Sequence, residues 1–280
     1  MSAAGPSQVA NCAPAGGSAA AKPQARGDHT SANSADPKRM HAIVTGVSQG
    51  LGEALAGDLL GRGAHVLGIG RTTSQRLAGE RYRFLRCDLA EASMLPAMLE
   101  PAFAVIASQH PASVCLVNNA ATLDPVGVLG TTEADHIMTS ITVNLTAPIV
   151  LASVFCREFR DDAIDRRIVN VSSGAAQSVI AGESLYCIAK AGLEMLTRTL
   201  AAEHGSDRFR AISLRPGVID TAMQSYARAQ PKERLPSVDL FKGFHDGGQL
   251  VAPEAVARKV VDRLVLAPVE QGRTYSFAEL

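Results

Sequence analysis

Two residues with complementary side chains, Tyr186 and Lys190, lie four positions apart in the apolar run "YCIAK". On a helix this spacing places both side chains on one face. A phenol beside an ammonium group can donate a proton, with an acidity that the positive charge adjusts. The same pair also occurs by chance on helix surfaces, where it has no role. Two further polar residues precede the pair, Ser173 at the end of an apolar run and Asn144 in a long helical stretch.

A glycine-rich segment, "TGVSQGLG" at 45–52, follows the first apolar run and precedes a helical pattern. Gly46, Gly50 and Gly52 allow a tight turn and a close approach of the backbone to a ligand. The free N–H groups of the following helix can bind a pyrophosphate. The alternative is a tight turn without a ligand. Its place in the first strand–helix turn of an alternating pattern favours nucleotide binding.

The end of the second apolar run, "IGRTT", indicates which nucleotide is bound. A protein that binds NAD usually has Asp or Glu here, to hold the ribose 2′-hydroxyl. Gly70 occupies that position and Arg71 follows, and a guanidinium can pair with a 2′-phosphate. NADP(H) is therefore the predicted cofactor, with an ordinary surface arginine as the alternative.

The elements that must position these residues alternate along the chain. Apolar runs predict strands at 41–46, 64–70, 82–89, 113–120, 166–173, 209–217 and 272–277, and helical patterns lie at 51–62, 91–110, 132–160, 185–203 and 253–266. Residues 221–248 are rich in charge and are expected to be irregular. Continuous apolar strands between helices are typical of a parallel sheet covered on both faces. The predicted fold class is α/β, a single Rossmann-type doubly wound parallel sheet of about seven strands flanked by helices.

Composition limits the partners. The chain has 280 residues, with 27 basic and 27 acidic side chains, which gives no reason to expect nucleic acid or an anionic membrane. No apolar run is expected to approach the roughly 20 residues of a membrane-spanning helix. The five cysteines are scattered without metal-ligand or disulfide spacing, so no metal site is predicted and a reducing cytoplasm is favoured.

Residues 1–39 differ from the rest, because Ala, Gly, Ser and Pro dominate and large apolar side chains are few. Such a segment cannot bury enough surface to form a core, so it is predicted to be a disordered tail. The functional domain is placed at 40–280. Met40 precedes the first strand, so a chain that begins there is the alternative.

Six motifs occur in one order along the chain: residues 45–52, "NNAA" at 118–121, Asn144, Ser173, "YCIAK" and "RPGVIDT" at 215–221. In this order they resemble the short-chain dehydrogenase/reductase family, and the resemblance covers 41–280. It implies that Tyr186 is the general acid in carbonyl reduction and the base in the reverse reaction. It also implies that Ser173 binds the substrate oxygen, that Lys190 binds the nicotinamide ribose, and that Asn144 holds a water linking Lys190 to solvent. A free phenol has a pKa of about 10, and nearby positive charge would lower it.

The resemblance further implies a set of cofactor contacts that runs the length of the sheet edge. These are Gly46, Ser48, Gly50, Leu51, Gly52, Arg71, Asp88, Leu89, Asn118, Ala120, Tyr186, Lys190, Pro216, Gly217, Ile219 and Thr221. One departure is Ala121, where the family usually has glycine, and a methyl group there would tighten the backbone beside the cofactor.

Within the family, "SSGAA", "YCIAKAGLEMLTRT" and "PGVIDTAMQ" resemble the branch that includes sepiapterin reductases and bacterial benzil reductases. The leading interpretation is an NADPH-dependent carbonyl reductase acting on a ketone or diketone. The alternatives are a 3-oxoacyl-thioester reductase and a regulator that binds NADPH without turnover. Broad apolar content at 146–160 and 185–203 predicts a homodimer, or a tetramer that also uses 272–277.

Overall fold

The computed structural model describes residues 39–280, so the predicted tail lies outside the described part of the chain except for Arg39. Seven strands form one parallel sheet, in the spatial order β3-β2-β1-β4-β5-β6-β7. The strands are β1 (Met40–Thr45), β2 (His65–Gly70), β3 (Tyr82–Arg86), β4 (Ser113–Asn118), β5 (Asp165–Val171), β6 (Phe209–Arg215) and β7 (Thr274–Ser276). The predicted doubly wound α/β fold is confirmed.

Eight α-helices connect and cover these strands in the described part of the chain. They are α1 (Gly50–Gly61), α2 (Leu95–Ala107), α3 (Ala134–Ile141), α4 (Ala147–Glu158), α5 (Ser184–Glu203), α6 (Ala222–Arg228), α7 (Val238–Asp246) and α8 (Pro253–Val260). One π-helical segment, Thr142–Thr146, joins α3 to α4, and another, Val261–Leu266, continues α8.

The central strand β1 shows why the sheet must be covered on both faces. All six of its residues are buried. Ala42 and Val44 belong to one core cluster, which also contains residues of α1 and α8. Ile43 belongs to the other, which contains residues of α2 and α4. Neighbouring residues of a strand point to opposite faces, so one continuous apolar run supplies both cores.

Residues 221–248 were expected to be irregular, and this prediction was wrong, because α6 and α7 lie within them. Helix α6 begins at the Thr221 hydroxyl, which accepts a hydrogen bond from the Gln224 N–H at 3.4 Å. In α7, Val238 and Phe241 are one turn apart and pack in the same small apolar cluster. Tertiary packing therefore stabilises two helices that the charge-rich composition of the segment does not indicate. We call residues 221–248 the lid.

The expectation that no apolar run reaches membrane-spanning length was also wrong. The continuous helical stretch Ala134–Glu158 has 25 residues and is, by length and composition, apolar enough to cross a membrane. In the fold, its α4 part buries Leu151 and Phe155 against Leu99 and Phe103 of α2. This packing is that of a core helix in an α/β domain.

Candidate active site

The glycine turn after β1 has a backbone that only glycine can follow. Gly46 and Gly50 have φ angles of 73° and 62°, in the region that side chains disfavour. A Cβ atom on Gly52 would lie 2.1 Å from the Gly46 carbonyl oxygen. Gln49, just before α1, provides no side-chain cap, so the first N–H groups of this helix are available to an anion. The turn therefore fits a nucleotide pyrophosphate.

Asn119 holds this turn in place, and the sequence analysis missed its role. Its side-chain nitrogen donates to the carbonyl oxygens of Thr45, at 2.9 Å, and Gly46, at 3.3 Å. In return, the Thr45 hydroxyl accepts from the N–H groups of Asn119, at 3.0 Å, and Ala120, at 2.9 Å. These bonds join the end of β4 to the glycine turn. The doubled asparagine in "NNAA" was the available signal.

The predicted nucleotide contacts around this turn differ in how they face solvent. Arg71 is exposed directly after β2, and Asp88 is exposed after β3, where its carboxylate accepts the Ala90 N–H at 3.0 Å. Ser48 is exposed, whereas the side chains of Leu51 and Leu89 are buried. Their contacts with a cofactor stay predictions.

Asn118 points its side chain into the protein. It is 2% exposed, and its side-chain nitrogen donates to Asn170 at 2.8 Å. Asn170 donates in turn to the Thr197 hydroxyl at 2.8 Å, which ties β4 and β5 to α5. Only the backbone of Asn118 is therefore placed to meet a ligand at the sheet edge, a contact that stays a prediction together with that of Ala120.

The predicted nicotinamide loop, Pro216 to Thr221, returns to the glycine turn. Ile219 forms a bridge with Val251. The Val251 carbonyl accepts the Asp220 N–H at 3.0 Å. At the end of the loop, the Thr221 methyl carbon lies 3.3 Å from where a Cβ on Gly50 would be. The fold thus brings together two motifs that are far apart in sequence, and Pro216 and Gly217 lie in the segment between β6 and this contact.

Helix α5 carries Tyr186 and Lys190 on the same face, as the spacing predicts. The Lys190 ammonium nitrogen lies 5.3 Å from the centroid of the Tyr186 ring and donates to the Val171 carbonyl oxygen at 2.8 Å. The lysine is 2% exposed, and burial lowers its pKa to about 8. Because Val171 ends β5, this bond holds the helix against the strand that leads to Ser173.

The pKa of the Tyr186 phenol depends on its burial and on neighbouring side chains. Burial is the largest influence and raises its pKa above the ordinary value, and the charge of Glu183 raises it further. The Ser173 hydroxyl is close enough to act on the phenol, and it lowers the pKa. Ser173 is held in extended conformation and accepts the Ala175 N–H at 3.2 Å. The serine is therefore fixed beside the phenol, where a substrate oxygen could meet both hydroxyl groups.

Asn144 lies in the π-helical segment and is fully buried. Its amide makes a paired interaction with the backbone of Thr122, accepting from the N–H at 2.9 Å and donating to the carbonyl at 2.8 Å. The side chain thus joins this helix to the segment after β4. Its predicted water-binding role is a separate matter and stays a prediction.

Glu194, one turn beyond Lys190, fastens α5 to two strand ends, and the sequence analysis did not identify it. It accepts hydrogen bonds from Ser172 at 2.7 Å and from Arg215 at 2.8 and 2.6 Å. Ser172 and Arg215 adjoin Ser173 and Pro216, respectively. One carboxylate therefore sets the catalytic helix relative to both loops of the site.

An apolar cluster packs against Tyr186. Its buried members are Leu123, Val126, Ala227, Leu235 and Val238, and Tyr186, Met223, Tyr226 and Phe241 pack against them. The Tyr226 hydroxyl donates to Asp124 at 2.9 Å, which fixes the lid to the segment after β4. The space above the phenol is consequently bordered by aromatic, thioether and aliphatic groups.

A Rossmann-type sheet with a glycine turn after β1, and with a partly buried tyrosine and a buried lysine beside the end of β5, defines an oxidoreductase that uses a nicotinamide cofactor. The chain belongs to the short-chain dehydrogenase family, whose model matches residues 40–232 under the description "short chain dehydrogenase".

Relatives and solved structures agree with this membership. Benzil reductase ((S)-benzoin forming) from Bacillus cereus is 32% identical over 85% of this chain and 99% of its own length. Sepiapterin reductase from Mus musculus is 31% identical over 84% of this chain and 95% of its own. A short chain dehydrogenase from Burkholderia cenocepacia, solved in complex with NADP, superposes with a TM-score of 0.67 at 26% identity, covering 86% of this chain and 97% of that one. The predicted likeness to the benzil and sepiapterin reductase group is confirmed.

Proposed function

We propose that the chain is an NADPH-dependent carbonyl reductase acting on ketones or diketones with apolar, particularly aromatic, substituents. The observation that carries this proposal is the position of Tyr186, which lies close to Lys190 and Ser173 and packs against the apolar cluster. Aromatic and thioether side chains favour contact with aromatic rings. The similarity to benzil reductases supports the same substrate class.

In this proposal, bound NADPH supplies a hydride to the carbonyl carbon. The Ser173 hydroxyl hydrogen-bonds the carbonyl oxygen and holds it near Tyr186. Tyr186 gives its proton to that oxygen as negative charge develops there, so the carbonyl becomes an alcohol. Lys190 stabilises the phenolate that remains and would also hold the nicotinamide ribose. Met223 and Phe241 exclude water from the reacting groups.

A substrate panel read by NADPH absorbance tests this function. It should contain an aromatic diketone, a simple ketone, a pterin ketone and an acetoacetyl thioester. We expect the diketone to be reduced with a kcat/KM at least tenfold above that of the thioester, about 1.4 kcal/mol in transition-state binding. The reverse order would favour a 3-oxoacyl-thioester reductase, and NADPH binding without turnover of any carbonyl would favour a regulator.

Arg71→Ala is expected to remove most of the preference for NADPH over NADH. In the unmutated protein NADPH should bind at least tenfold more tightly, about 1.4 kcal/mol, because no acidic residue follows β2 and the exposed Arg71 can pair with the 2′-phosphate. Fluorescence titration with both cofactors measures the gap. The control is Arg81→Ala, which replaces an exposed arginine just before β3, and this variant should keep the preference for NADPH. Equal affinities before mutation would contradict the assignment.

We propose that two copies associate as a homodimer through α5 and the stretch from α3 to α4. Four apolar side chains on these elements, Met138, Ile149, Ile188 and Met195, are 43–66% exposed. The elements also touch closely, since a Cβ on Gly192 would lie 3.0 Å from the Leu145 side chain. Sedimentation at micromolar concentration should give twice the 29.3 kDa chain mass. A fully active species of single-chain mass would contradict this.

We further propose a reducing, cytoplasmic location. The cysteines of the described residues, Cys87, Cys115, Cys156 and Cys187, are all free thiols. Burial raises the pKa of Cys115 to about 12 and that of Cys156 to about 11, which keeps these thiols protonated and unreactive.

A further inference from the structure

Glu183 is a buried carboxyl group with no part in the reaction described above. It immediately precedes α5 and lies three residues before Tyr186, within one helical turn. It is 3% exposed, and its Oε1 atom has no hydrogen-bond partner among residues 39–280. A buried carboxyl oxygen without a partner is costly, so its retention requires an explanation.

The backbone around Glu183 is fixed on both sides. The Gly127 N–H donates to the Gly182 carbonyl at 2.8 Å, which binds this segment to the loop after β4. On the other side, a Cβ on Gly182 would lie 2.8 Å from the Arg234 carbonyl oxygen of the lid. The segment is therefore enclosed between the loop and the lid, and the carboxyl group stays inside.

Burial raises the pKa of Glu183 to about 7, so the group gains its charge near neutral pH. On α5, this charge acts on Tyr186 and Cys187 and raises the pKa of both. The charged groups on the other packed elements, Asp124 after β4 and Arg234 in the lid, act on Tyr226. Burial is the cause of the raised pKa of Glu183, and among the described residues no side chain forms an ion pair with its carboxylate.

We propose that Glu183 is a positioning residue of the reductase: its buried negative charge keeps the Tyr186 hydroxyl protonated and so favours carbonyl reduction over alcohol oxidation. Two opposite charges then act on one phenol. Lys190, 5.3 Å from the ring, favours release of the proton, and Glu183 favours its retention.

The direction of the effect follows from what each direction of the reaction requires of Tyr186. Carbonyl reduction requires the protonated phenol, whereas alcohol oxidation requires the phenolate as base. Glu183 becomes charged as the pH rises through about 7, so above that pH its negative charge opposes loss of the phenol proton. The carboxylate therefore extends the pH range over which the proton donor is ready. The kinetic consequence rests on the proposed function, but the electrostatic one is measurable without a substrate.

The electrostatic test is a pH titration of phenolate absorbance in the NADP⁺ complex, taken as the difference from the matching variant that also carries Tyr186→Phe. Glu183→Gln should move the Tyr186 titration about one pH unit lower. Glu183→Met, which fills similar volume without polar atoms, gives a second charge-free variant if the amide disturbs folding. Glu183→Asp retains the charge and should stay closer to the unmutated protein than to Glu183→Gln. Glu233→Gln, an exposed lid carboxyl, is the matched control and should cause no shift.

The kinetic test compares reduction and oxidation across the pH range. At alkaline pH, Glu183→Gln should raise the ratio of the turnover number for alcohol oxidation to that for carbonyl reduction about tenfold. This corresponds to a change of about one unit in the pKa of the Tyr186 phenol. The profile of this variant should converge on that of the unmutated protein below about pH 6, where Glu183 is protonated and therefore as uncharged as the Gln that replaces it.

Three results would overturn the proposal: no downward shift of the phenolate titration in the charge-free variants, an upward shift, or the same shift in Glu233→Gln. If no carbonyl is reduced by any form of the protein, the proposed function fails, while the titration still decides the role of Glu183.

Discussion

Tyr186→Phe is expected to lower the turnover number for carbonyl reduction about 1000-fold or more while leaving NADPH affinity within a factor of two to three. General acid catalysis contributes roughly 10²- to 10⁴-fold, and the variant loses the only acidic proton of this side chain. The ring is retained, so its packing against the apolar cluster and its contact with the Lys190 ammonium are preserved. The loss should therefore appear in turnover rather than in binding.

Single-turnover reduction under saturating NADPH separates the two effects, with cofactor affinity measured by fluorescence. Tyr275→Phe is the matched control, because it removes a phenol hydroxyl that accepts the Glu270 N–H at 2.8 Å, away from the site. That variant should retain its activity. If Tyr186→Phe kept a tenth of the original turnover, another group would have to be the proton donor.

The inner strands β1 and β4 were predictable because each one meets two apolar layers. A strand buried on both faces needs apolar residues at every position, so β4 appears in the sequence as the continuous run "SVCLVN". Its predicted range, 113–120, exceeds the observed strand by two residues. Those residues, Asn119 and Ala120, leave the ladder to bind Thr45, a contact between distant segments that no local pattern indicates.

The two helices of the lid were not predicted because they depend on contacts with distant segments. In helix α7, apolar residues alternate with charged and polar ones, and contact of Val238 and Phe241 with the segment after β4 stabilises it. Helix α6 did have a local signal, since Thr221 and Gln224 have the spacing of a helix N-terminus. The charge content of the segment nevertheless led to a prediction of irregular structure. Short helices depend on tertiary contacts, which composition does not show.

Within the site, the sequence identified residues whose motifs are local and missed those that act across the fold. Tyr186 and Lys190 are one helical turn apart, so their pairing is visible in the sequence. Glu194 binds Ser172 and Arg215, which come together only when β5 and β6 pair. Glu183 gives no local signal, because its burial depends on the lid and the loop after β4.

Lys190→Met is expected to make the protein more stable and much less active. The Lys190 ammonium group is buried, and burial lowers its pKa from 10.5 to about 8. Keeping the group charged at neutral pH therefore costs the fold about 3 kcal/mol. Methionine has similar length and removes this cost, but it leaves the Val171 carbonyl without its donor, a loss of about 1 kcal/mol. The free energy of unfolding should rise by about 2 kcal/mol, while turnover falls about 100-fold and NADPH affinity decreases.

The pH dependence of that difference distinguishes this explanation from improved packing. Between pH 8 and 10.5 the unfolded chain holds a proton on Lys190 that the folded protein has lost, so the stability of the unmutated protein rises with pH in this window. The variant lacks this gain. Its advantage in urea unfolding should be greatest below pH 8, vanish between pH 8 and 10.5, and become a deficit of about 1 kcal/mol above that range. Lys242→Met, at an exposed position of α7, is the control and should change stability by less than about 0.5 kcal/mol. A Lys190→Met variant less stable than the unmutated protein at pH 7 would show that the buried charge is compensated, and that the lysine stabilises the fold as well as the phenolate.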